Sequence, residues 1–229
     1  MDMRLIGFVL VALLVTGPGS ALAQEWTEFA SRDDRFTVNF PGTPKISATT
    51  WNSEYGAVLP ARLYTAEIGR SRFTVTAVDY SGVEQLLTEK AKSCPAGAET
   101  CSGIGDTGVG YWKNDVRGAV AYASWKLIQG SAKMTHFMWN FVEMVSGNQL
   151  QLTNADGSRT FASIYMHENT LVIVDGTVPA GYPEPGLFQQ SLGWLDQDGK
   201  GIRYSTLYIN EPDLPKPAIR VRGQRGQAR

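Results

Sequence analysis

Residues 134–178 constrain this chain more than any other stretch. Apolar and polar residues alternate there in runs of strand length, interrupted only by short clusters of turn-forming residues. A period of two puts successive side chains on opposite faces, and links too short for a crossover force neighbours to run antiparallel. The expected strands, counting one immediately upstream, are residues 117–129, 134–145, 149–154, 158–167 and 170–178. Turns are expected at Ser146-Gly147-Asn148, Asp156-Gly157 and Glu168-Asn169.

The first third of the chain shows the same habit. Phe36, Val38 and Phe40 alternate with Thr37 and Asn39 and stop at Pro41-Gly42. Residues 46–51, 58–68 and 72–80 read as further strands. The period then changes. Ser81 and Glu84 have the spacing of a capping box, and Val83, Leu86, Leu87 and Ala91 mark one face of a helix. Residues 101–115 are rich in Gly and read as a long connection. Leu187, Phe188, Ser191, Leu192 and Leu195 mark a second amphipathic helix with Pro185 in its first turn, and residues 202–209 form a last strand. This order defines an α+β class, one large antiparallel sheet flanked by two helices, in a single domain over residues 24–211.

The two ends differ from this body. Arg4 precedes an apolar run over residues 5–15, which Gly17-Pro18-Gly19-Ser20 breaks before Ala21-Leu22-Ala23. Small residues at the outer positions of that triplet predict a signal peptide over residues 1–23, with cleavage before Gln24. As helix the run spans only about 16 Å, roughly half a bilayer core. Export places Cys94 and Cys101 in an oxidising compartment, where they are expected to staple a small loop worth about 2–3 kcal/mol. The alternative is a redox or metal-binding pair. The tail from Pro212 onward carries Lys216, Arg220, Arg222, Arg225 and Arg229 among three prolines, and is expected to be disordered and solvated without a specific role, the alternatives being that it folds back on the acidic body or touches anionic membrane surfaces. The formal net charge of -1 offers no global attraction for nucleic acid.

Residues 36–44 (Phe-Thr-Val-Asn-Phe-Pro-Gly-Thr-Pro) resemble the opening strand and turn of PsbP-like domains. The resemblance continues through residues 159–178 and through residues 182–195, which carry Phe188, Ser191 and Leu192. The mature body as a whole resembles uncharacterised exported proteins of proteobacteria. The PsbP-like resemblance implies an α/β/α sandwich around an antiparallel sheet, and a task of binding, assembly or stabilisation without a shared catalytic set.

Motifs that carry chemistry are scarce. The chain lacks a Gly-x-Ser-x-Gly elbow, a phosphate loop, a His-Glu-x-x-His helix and a dinucleotide fingerprint, and holds only two His residues. No catalytic residue is nominated, and Asp33-Asp34 reads as a solvated turn. Met134, His136 and Met138 alternate along one expected strand, so all three are expected on one face, a donor set suited to copper in its soft, cuprous state. Met144 continues that parity, and Met166-His167 comes from a later strand. The opposite parity, Phe137, Trp139 and Phe141, is expected to face the main core. Tyr111 and Trp112 on the Gly-rich connection, with Arg220, Arg222 and Arg225 of the tail, are candidate partner contacts. These observations lead to an exported, non-catalytic binding or assembly factor for an envelope protein. A periplasmic copper-binding protein and a small-ligand carrier with a cleft between sheet and helix are the alternatives.

Overall fold

In the computed structural model, residues 26–95, 112–130 and 133–221 are described. Residues 1–23, Cys101, Tyr111, Arg222 and Arg225 lie outside them, so the expected leader, the expected Cys94–Cys101 staple and the candidate contacts at Tyr111, Arg222 and Arg225 do too. Two antiparallel sheets form the body. The larger has seven strands in the order β3 (Lys45–Asn52), β4 (Val58–Ile68), β5 (Ser71–Asp79), β9 (Thr170–Val178), β8 (Arg159–His167), β7 (Val145–Thr153) and β6 (Lys133–Val142). The smaller has five, in the order β1 (Trp26–Ser31), β2 (Phe36–Pro41), β10 (Gly193–Leu195), β11 (Gly201–Tyr204) and β12 (Ile219–Val221). The class is α+β, dominated by antiparallel strands.

The seven-stranded sheet is buried on both faces at its centre. Val172 and Val174 of β9 and Tyr165 of β8 point toward the smaller sheet, where they meet Phe36, Phe40, Phe188, Trp194 and Tyr204. Leu171, Ile173, Ala162 and Ile164 point the other way, onto α1 (Val83–Lys92) and α2 (Trp112–Gln129). Each large apolar side chain buried in either layer contributes about 1.5–3 kcal/mol. The helices therefore cover one face only, while the second sheet and the single turn of α3 (Gly186–Gln189) cover the other. That corrects the expectation of one sheet between two helices.

The largest correction is α2, expected as a connection and then a strand. Val116, Ala119, Val120, Ala123 and Leu127 recur at helical spacing, and Ala119 and Ala123 are fully buried against the sheet. The three alanines of residues 119–123 favour helix, whereas Tyr122 and Trp125 on the outer side blur the apolar stripe that a period search needs. A second correction concerns residues 187–195. They make one helical turn, and then β10 pairs with β2, because Trp194 is placed opposite Phe36. The capping box also fails: Gly82 stands at the N-cap of α1, with no side chain capping it. The tail is ordered as far as it is described, with Ile219–Val221 adding β12 to the edge of β11.

The hairpin between β6 and β7 turns at Glu143-Met144, not at Ser146-Gly147-Asn148. Both turn residues have positive φ, 49° and 71°, the geometry that matches the twist of two antiparallel strands. Gly147 instead lies inside β7, opposite Tyr165. A Cβ there would sit 2.1 Å from the Ile164 carbonyl oxygen and 2.2 Å from the Tyr165 ring. Gly147→Ala is thus expected to cost about 2–3 kcal/mol, read as a drop in the urea midpoint at unchanged slope. A loss under 0.5 kcal/mol would mean that β7 and β8 separate easily.

Candidate functional site

The Met/His set lies on β6, the edge strand of the larger sheet. A bulge falls between Met134, which pairs with Leu152, and His136, which pairs with Gln151. Leu152 and Gln151 are consecutive and face opposite ways, so the extra residue Thr135 sends Met134 and His136 to opposite faces. His136 and Met138 share one side, while Met134 joins Phe137, Trp139 and Phe141 on the other. The expected face of three donors is not formed. Among the described residues, no group of three or more His, Cys, Asp or Glu side chains is placed to hold a metal ion.

Phe137, Trp139 and Phe141 do not face the core either. They and both Met side chains of β6 are 43–53% exposed. Trp139 is held in place by its Nε1–H, which donates to Ser146 Oγ at 2.8 Å, and its ring lies 5.5 Å from that of Phe141. It also borders a shallow groove of about 140 Å³ lined by Val120, Met166 and Ile209. The space between sheet and helix, where the carrier reading needs a cleft, holds the packed contacts of Ala119, Ala123, Leu150 and Ile164.

A second apolar surface was missed by sequence reasoning because it stands on α2. Trp125 is 52% exposed and stacks on Tyr122 at 5.7 Å and 21°. Tyr122 meets the Trp51 ring edge-on at 6.3 Å, and Lys126 Nζ stands 4.2 Å over that ring. The result is a preordered aromatic shelf with one cation in it. The helical spacing of Val116, Ala119, Val120, Ala123 and Leu127 is the signal that could have found the helix and, on its outer side, the shelf. Trp112, the first residue of α2, is half-buried against the helix-side core. Arg220 pairs with Arg203 across β11 and β12, and Lys216 makes an ion pair with Glu168 at 3.5 Å, so the first part of the tail lies on the body.

The groups that chemistry would need are tied into structure. His167 is buried, with Nε2 at 2.8 Å from the Tyr204 hydroxyl and its ring 4.5 Å from that of Trp194. Burial lowers its pKa to about 3; Glu168 opposes this, while Arg35 and Lys216 add to it. Asp34 is not a solvated turn residue: Arg62 Nε donates to it at 2.8 Å, and the Tyr64 hydroxyl donates as well, which fastens the β1–β2 turn to β4. Burial, then that hydrogen bond, raises Tyr64 to about 12. Asp115 lies fully buried in the first turn of α2 and accepts the Ser53 hydroxyl. Burial raises its pKa, and hydrogen bonds from Ser53 and the Glu54 backbone oppose the rise.

Fold and surface together define a two-sheet α+β protein with exposed aromatic patches and no assembled reactive cluster among the described residues. Compared with family models, curated proteins and solved structures, the chain matches none.

Proposed function

We propose that this chain is an exported, non-catalytic binding and assembly factor for an envelope protein, built on a PsbP-like plan. The observation that carries it is the aromatic shelf of α2. Stacked Trp and Tyr side chains with a neighbouring cation are the composition of binding hot spots, and their prior ordering reduces the entropy lost on docking. The confinement of His167, Asp34 and Asp115 to structural hydrogen bonds supports a non-catalytic task. The sequence pattern of residues 4–23, a basic start, an apolar run and a small-residue triplet, supports export. The PsbP-like part rests on residues 36–44 and on the antiparallel sheet, and the second sheet on the face opposite α1 and α2 departs from a sheet between two helical layers.

The test is recovery of partners from a solubilised envelope fraction with the tagged full chain and with Trp125→Ala. One membrane protein or complex is expected with the parent, reduced about 30-fold or more by the substitution. Folding should be unaffected, because exposed substitutions rarely change stability by more than about 0.5 kcal/mol. Equal recovery by both proteins removes the shelf from the reading. Purification with stoichiometric copper or an organic ligand and no protein partner would replace it.

A further inference from the structure

We propose that β6 is the seam of a two-fold symmetric dimer, pairing antiparallel with β6 of a second copy of this chain. The first support is backbone direction. Val142 and Val145 close a two-residue turn, which makes them a hydrogen-bonded pair. Alternation along an antiparallel ladder then turns the N–H and C=O groups of Phe137, Trp139 and Phe141 away from β7, toward the open edge. The Phe141 amide confirms this direction: it donates to its own neighbour, Asn140 Oδ1, at 2.8 Å.

The second support is a palindrome. Phe137-Met138-Trp139-Asn140-Phe141 reads aromatic, spacer, aromatic, spacer, aromatic from either end. A two-fold axis through Trp139 sets that residue against its own copy and Phe137 against Phe141, twice. Every residue with an outward backbone then meets an aromatic side chain, and cross-strand aromatic pairs are among the favourable ones. An isologous contact requires such self-complementarity.

The third support is how few edge-blunting devices fall within the pairing segment. From His136 to Val142 there is no Pro, no Lys and no acidic residue, and the bulge at Thr135 and the one Lys, Lys133, both lie upstream of Phe137–Phe141. The other edge of the same sheet, β3, presents Lys45, Ser47, Thr49 and Thr50. Area is sufficient. Five large apolar side chains about half exposed offer roughly 100 Å² each, so a symmetric pair covers about 1,000 Å² before backbone and polar rim are added. Stable interfaces begin near 1,200 Å².

Sedimentation velocity of the full chain across a concentration series tests the proposal, with Trp139→Lys and Phe137→Lys as variants and circular dichroism as the control for folding. The parent is expected to be a dimer at micromolar concentration, and each variant a folded monomer with its dissociation constant raised about 30-fold or more. Trp139→Cys is expected to cross-link across the axis under mild oxidation, whereas Thr49→Cys on β3 is not. A parent that stays monomeric overturns the proposal, as does a dimer that survives both lysines. Slow hydrogen exchange at Phe137, Trp139 and Phe141 in a monomer also overturns it, in favour of cover by the chain itself. Trp125→Ala leaves this dimer intact, so failure here and failure of the partner reading are separate results.

Discussion

Replacing Trp194 by alanine is expected to lower stability by about 3–5 kcal/mol. Trp194 is 1% exposed on a strand of only three residues, between the two sheets. Its Nε1–H donates to the Val142 carbonyl at 3.1 Å, and its ring lies 4.5 Å from His167 and 6.2 Å from Tyr165. Truncation removes the largest fully buried side chain of the molecule as described, opens a cavity between sheets that cannot close without moving β10, and takes from the Val142 carbonyl the second of its two donors. Urea denaturation followed by far-ultraviolet circular dichroism measures the change. A loss below about 1 kcal/mol would show that the smaller sheet contributes little to the cooperative unit.

Acid is expected to destabilise the protein through His167. The unfolded chain takes up that proton near the ordinary value of 6.5, the folded one only near pH 3. Between these limits the unfolded state holds more protons. Stability is full above about pH 6.5 and falls with pH at up to about 1.4 kcal/mol per unit, until the loss is complete below about pH 3. Burial pushes the pKa of Glu168 up, but attraction to His167, then to Arg35 and Lys216, outweighs that and lowers it, so its protonation adds to the loss at the acid end. Burial raises Asp115 and Asp175, which act in the opposite sense between their raised values and the ordinary carboxylate range. The comparison is therefore between slopes. Unfolding free energy measured from pH 7 to pH 4 should fall more steeply for the parent than for His167→Gln, by up to one proton. Equal slopes would mean that the buried imidazole is already charged in the folded protein.

Sequence legibility followed periodicity. β2, β5, β8 and β9 were readable because Phe36, Val38 and Phe40, or Val172 and Val174, repeat at two and stop at turn residues. The Glu168-Asn169 turn was readable for the same reason, whereas Glu143-Met144 was hidden: neither residue advertises positive φ, and nearby Gly147 drew the turn away. α2 was hidden because Tyr122 and Trp125 put large apolar side chains on its outer side among Arg117 and Lys126, which blurs the stripe, and those same two residues create the aromatic shelf. On β6 the alternation was real, but the bulge at Thr135 reverses parity midway, so Met134 changed sides. The burial of Asp115 and His167 and the partners of Asp34 depend on which distant segments cover them, and local pattern carries no record of that.

The two hydrophobic layers share the seven-stranded sheet as a common wall. Peeling off either covering, the helix pair or the small sheet, would bare one whole side of that wall to water while the other stayed dry. No cut through the middle of the chain therefore yields two self-sufficient halves, since β5 and β9, neighbours in the wall, come from either side of that cut. Insertions and fusions belong at the hairpin tip of residues 154–158, where Ala155 and Asp156 are exposed, and not at residues 52–57, where Ser53 and Ala57 are buried under the helices.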